Sequence, residues 1–167
     1  MRHTLLLLTL ATAACGLPFG IEDQELPMTV TDAGSYVLSV HASTGEVTLA
    51  VPFTLTNATD EVLTMVHCGK EEPDFSRRSD QAWEIVPGGP ELGCLSLTHV
   101  QPGTTFDGTA RVWWDASTTP AELEGTYRLH WGRLWAEWHD YDNESETWGT
   151  RLPEEALVSN TFVVIAP

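Results

Sequence analysis

Basic residues are scarce in this chain. Lys and Arg number 8 against 24 Asp and Glu, for a formal charge of −16 at pH 7. Such a field repels phosphate backbones and anionic headgroups, which excludes nucleic acid as a partner class and suits an exported protein that must stay soluble. Long apolar runs are lacking as well. The stretch TLLLLTLATAA, residues 4–14, covers about half of the roughly 20 residues that a helix needs to cross a bilayer. No serine stands in the GxSxG context of a nucleophile elbow, and the acidic residues are spread through turns rather than paired. His67, His99, His130 and His139 lack the close spacing of zinc ligands. The acidic run Asp140, Asp142, Glu144 and Glu146 lacks the glycine and final bidentate acid of an EF-hand loop, and reads as a solvated loop. These gaps lead us to expect no enzyme activity, no metal and no other cofactor.

What is there begins at the N-terminus. Arg2 supplies a positive start, residues 5–10 an apolar stretch, and Thr12, Ala13 and Ala14 the small residues that a signal peptidase accepts. The segment therefore reads as a secretory signal. It runs straight into Cys15, and TAAC resembles the bacterial lipobox, in which the cysteine is lipidated and becomes the first mature residue. Thr12 stands where that box usually has Leu. The resemblance implies a chain held to a membrane by acyl groups, at about 0.8 kcal/mol per buried CH₂. Gly16 behind the lipidated cysteine would, by analogy with lipoprotein sorting, direct the protein to the outer membrane of the cell envelope, facing the periplasm or the cell surface. Asn57-Ala-Thr and Asn143-Glu-Ser match a glycosylation pattern that has meaning only in eukaryotic secretion.

Three cysteines are an odd number for an exported protein. With Cys15 taken by lipid, Cys68 and Cys94 remain to form one disulfide, contributing roughly 3.5 kcal/mol in the chain-entropy model. Two free buried thiols are the alternative. The sequence then divides into a signal peptide over 1–14, a lipidated N-terminus and Gly/Pro/acid-rich tether over 15–34, and a single domain over 35–167.

Within that domain the dominant signal has period two. In EVTLAVPFTLTN the apolar residues Val47, Leu49, Val51, Phe53 and Leu55 fall on alternate positions, which predicts a half-buried strand of an antiparallel sheet. Similar runs predict strands over 36–41, 62–68, 82–86, 94–99, 105–114, 126–131 and 157–165, with a short first strand over 28–31. The connections STGE, NATDE, VPGGPELG, QPGTT and LEGT carry turn residues. Seven to eight short strands at this spacing predict an all-β, immunoglobulin-like antiparallel sandwich. In RLWAEWHDYD, Leu134, Trp138 and Tyr141 fit a short helix or an extended hairpin arm equally well, and residues 139–155 promise the least regular structure.

The pattern FTLTNATDEVLTMVHCGK, WEIV, CLSL, VQPGTTFDGTARV, GTYRLHW and LVSNTFVV resembles bacterial immunoglobulin-like domains found in exported lipoproteins of uncharacterised function. It is also distantly similar to the intracellular proteinase inhibitor of the BsuPI type. The resemblance spans residues 36–164 and rests on an Asn ending a strand, a Pro-Gly turn and a Gly-Thr-Tyr strand start. It implies a binding or structural module with its two cysteines flanking the middle strands. The inhibitor likeness implies a protruding loop, for which GKEEPDFSRRSD with Arg77 and Arg78, or the Trp-rich arm, is the candidate.

Of seven tryptophans, six lie in the C-terminal part: Trp113, Trp114, Trp131, Trp135, Trp138 and Trp148. Adjacent strand residues face opposite ways, so Trp113 and Trp114 cannot share one core. An arm carrying Trp135, Trp138, Tyr141 and Trp148 either folds over an outer sheet face or forms an aromatic platform for a glycan or a basic peptide of the envelope, with Arg128 or Arg133 in cation-π reach.

Overall fold

A computed structural model describes residues 28–67, 73–87, 96–138 and 149–167. Among them the chain forms β1 (Met28–Thr31), β2 (Ser35–Val37), β3 (Ser39–Val40), β4 (Val47–Thr56), β5 (Leu63–His67), β6 (Asp74–Ser79), β7 (Ala82–Ile85), β8 (Ser96–Val100), β9 (Thr105–Trp114), β10 (Gly125–His130), β11 (Leu134–Ala136), β12 (Thr150–Arg151) and β13 (Phe162–Ile165). Short 3-10 turns at Pro120–Leu123 and Glu154–Leu157 are the helical pieces. In the first sheet β4 pairs along its whole length with β9, and on its other side with β1 and then β3. The second sheet has the order β2-β13-β10-β6-β7 and the third β12-β11-β5-β8. The fold is an all-β, immunoglobulin-like sandwich. Its strands are more numerous than expected because bends divide them, as at Leu38, which turns into the core between β2 and β3.

β4 shows why the alternation works. Val47, Leu49, Val51, Phe53 and Leu55 are all at most 1 % exposed, and the threonines between them face outward. Pro52 is tolerated mid-strand because its missing N–H would point into the gap between β3 and β1, where no ladder bond is lost. Across the sandwich Phe53 meets Trp131 edge to face at 5.5 Å, and the Trp131 indole N–H donates to the Thr29 hydroxyl at 2.8 Å. β1 is thus part of the packed unit, which takes in residues 28–34 that the sequence assigned to the tether. Among the described strands the pairing is antiparallel except that β13 runs parallel to β2, beside an isolated parallel bridge between Thr29 and Ser159.

Two side chains fasten turns. The Asn57 side chain is fully buried, donates to the Glu61 and Val100 carbonyls at 2.8 and 2.9 Å, and accepts from the Thr59 N–H and hydroxyl at 3.0 and 2.7 Å. A carboxamide so enclosed cannot carry a glycan in the folded protein. Tyr127, also fully buried, stacks on Phe162 and donates its hydroxyl to the Leu123 carbonyl at 2.7 Å, a bond back along the chain from the start of a strand. That arrangement is the tyrosine corner of immunoglobulin-like sandwiches.

Burial pushes the Tyr127 phenol above its ordinary value, against a smaller opposing effect of the Arg77 guanidinium. Above about pH 10 the unfolded chain therefore sheds this proton while the folded chain keeps it, and stability falls as pH rises through the folded-state value. Tyr127→Phe should lower stability by about 1–2 kcal/mol at pH 7, since the Leu123 carbonyl loses its donor. The variant should also lose part of the alkaline decline. Urea titrations at neutral and alkaline pH measure both, and a parallel decline in the two proteins would refute the assignment.

Candidate functional site

The outer face of the third sheet carries the site. Register places Trp135 of β11 directly opposite Thr64 of β5 on one side and Arg151 of β12 on the other, and Thr64 opposite His99 of β8. A row Arg151, Trp135, Thr64, His99 thus crosses the sheet on the face away from Leu63, Met65, Leu134 and Ala136, which are buried in the core. The Thr64 hydroxyl, itself fully buried, and His99 Nδ1 are hydrogen-bonded at 2.9 Å, which fixes the imidazole over the sheet.

Beside this row lies an open groove of about 330 Å³ lined by Glu61, Val62, Thr64, His99, Glu137 and Trp138. Glu137 follows β11 in a left-handed conformation (φ 47°), which turns the chain out of the strand and swings Trp138 over the groove. Its carboxylate accepts from the Thr150 hydroxyl at 2.9 Å, tying the turn to β12. Gly149 is required at that crossing, because a Cβ there would stand 2.9 Å from the Ala136 carbonyl. The groove therefore presents an indole, an imidazole and two carboxylates to solvent. Such a surface can stack a sugar ring or a planar cation and hydrogen-bond its polar rim.

RLWAEWHDYD begins as a strand of a hairpin arm, β11 with β12, which resolves the helix-or-hairpin ambiguity as far as Trp138. Trp135 and Trp138 are both half-buried, Trp135 in the row across the sheet and Trp138 in the lining of the groove. Tyr141 and Trp148 lie outside the described residues, as do Cys15, Cys68 and Cys94. Trp114 packs against the core, whereas Trp113 stands on the outer face of the first sheet opposite Thr48, 38 % exposed.

Arg77 and Arg78 are not in a protruding loop. They lie in β6, which is hydrogen-bonded to β10 on one side and β7 on the other. The Arg77 guanidinium donates to the Glu122 and Glu124 carbonyls at 2.8 and 2.6 Å, so it closes the end of the 3-10 turn rather than reaching for a protease. Arg128 does make a cation-π contact, but with Trp83 of β7 at 4.5 Å, and it also faces Glu154 at 3.6 Å.

Sequence reasoning missed Glu61, Thr64 and Glu137, and weighed His99 only as a metal ligand. Thr64 and His99 meet through strand register, and no local spacing foretells that pairing. Among the described residues no three of His, Cys, Asp or Glu come close enough together to share a metal ion. Compared with known proteins, the chain matches no family model, and no curated protein shows significant similarity to it.

Proposed function

We propose that the protein is an exported bacterial lipoprotein, anchored through Cys15, whose sandwich acts as a non-catalytic binding module in the cell envelope. The groove between Glu61, Glu137, His99 and Trp138, with Trp135 beside it, carries this reading. Thr64, the hydroxyl nearest the imidazole, is fully buried and already bonded, so the pair is disposed to hold shape rather than to attack a substrate. Indole faces beside carboxylates suit a glycan or a peptide with basic side chains, and the overall charge of −16 favours the cationic partner. For the inhibitor alternative, Arg77 and Arg78 lie in β6, which leaves the Trp-rich arm as its candidate loop.

The N-terminal half of the proposal rests on the run into Cys15. It goes with a disulfide between Cys68 and Cys94. The described β5–β8 ladder ends at the pair His67 and Ser96, one residue before Cys68 and two after Cys94 in the chain. Cys68 and Cys94 themselves lie outside the described residues, and the reading rests on their nearness to that pair along the chain.

Pull-down from envelope extract tests the binding face. Replacing Trp135 and Trp138 together by Ala should cut recovery of a partner at least tenfold while leaving the folded circular dichroism spectrum intact. Equal recovery from both proteins would remove this face from consideration. In the same cells Cys15→Ser should move the protein from the membrane to the soluble fraction.

A further inference from the structure

The outer edge of β9 is the second feature of interest, after the groove. β9 is ten residues long, and among the described residues it pairs with β4 alone. Register fixes which of its backbone groups face outward. The Asn57 N–H bonds the Thr104 carbonyl at 2.9 Å, and the Pro52 carbonyl, opposite Thr109, turns the other way to accept from Asp32. Even-numbered residues of β9 thus point their N–H and C=O at β4. Asp107, Thr109, Arg111 and Trp113 present theirs along the outer edge, with their side chains together on the outer face. Long edges of this kind are templates for another strand.

We propose that this edge pairs antiparallel with β9 of a second copy of the chain, about a two-fold axis through Thr109. Asp107 and Arg111 stand two residues to either side of Thr109. That axis therefore sets each Arg111 opposite the other copy's Asp107, and the ion pair forms twice. Neighbouring registers fail. Centring on residue 107 or 111 opposes like charges, and centring on 108 or 110 leaves Arg111 facing a threonine. The Asp107 carboxylate is already steadied by the Thr54 hydroxyl at 2.7 Å. In the single chain Arg111 donates to the Thr109 carbonyl at 3.2 Å, covering an edge acceptor that the second copy's Thr109 N–H would take over. Trp113 falls opposite Thr105 and extends the contact on both sides.

Cysteine cross-linking of the full-length protein in producing cells tests the register. Directly opposed residues of a hydrogen-bonded pair have Cα atoms about 5.5 Å apart, within disulfide range. Thr109→Cys should give a dimer band on a non-reducing gel after mild oxidation. The parent protein and Thr105→Cys should not, since two copies of residue 105 would lie about 26 Å apart. Adding Arg111→Asp to Thr109→Cys should reduce the cross-linked fraction at least tenfold, and adding Asp107→Arg to both should restore it. A folded Thr109→Cys protein that stays monomeric, or a dimer band indifferent to charge reversal, would overturn the proposal.

Discussion

Asn57→Ala should lower the free energy of unfolding by about 3–5 kcal/mol, more than any exposed substitution in the chain. One carboxamide holds the end of β4, the turn over residues 57–61 and the start of the β8–β9 connection, and its bonds to Val100 and Thr59 are made out of contact with water. The backbone of the same residue receives Gly103 N–H at 2.8 Å. Gly103 adopts φ +70° behind Pro102, so a type II turn leans on this residue too. Removing the side chain leaves the Val100 carbonyl without that donor and the Thr59 N–H without its acceptor, and each buried orphan costs about 1–3 kcal/mol. Asn57→Asp should be similarly damaging, because a carboxylate would face the Glu61 and Val100 carbonyls that now accept from the amide. Urea unfolding at constant m-value reads the effect; a loss below about 1 kcal/mol would show that water replaces the amide.

The second large effect belongs to the proposed disulfide. Reduction, or Cys94→Ser, should remove roughly 3.5 kcal/mol and lower the melting temperature by roughly 10–15 °C in a domain of this size. Mass spectrometry of a tryptic digest should find the peptides carrying Cys68 and Cys94 joined until reductant is added. A melting temperature unmoved by reductant, with both thiols open to alkylation in the native protein, would establish them as separate.

The sandwich was legible where burial is one-sided. β1 and β9 fall on the expected residues, and β4 differs by one, because inward and outward positions there differ sharply in polarity. β6 left no such trace. In DFSRRS only Phe75 is a large apolar residue facing the core, Ser76 is buried among the strands, and Arg77 turns to backbone carbonyls. A central strand built from arginine and serine looks like a loop until its neighbours are known. The run over 157–165 failed for the opposite reason: Leu157 and Phe162 are both buried, but one ends a 3-10 turn and the other opens β13. Of the site, the indoles were visible in composition alone. Glu137 is the chain neighbour of Trp138, but Glu61, ahead of β5, and His99 of β8 reach them through pairings between distant parts of the chain.

The parallel alignment of β2 with β13 bears on the anchoring proposed at Cys15. Thr29 also bridges in parallel to Ser159, and the Asn160 side chain holds both the Thr31 N–H and its hydroxyl. Tension drawn between the two ends of the domain would slide these neighbours past one another instead of peeling them apart, so their bonds share the load and must yield together. A domain hung from a moving surface by its first strands and gripped near its last is thereby built to withstand pulling.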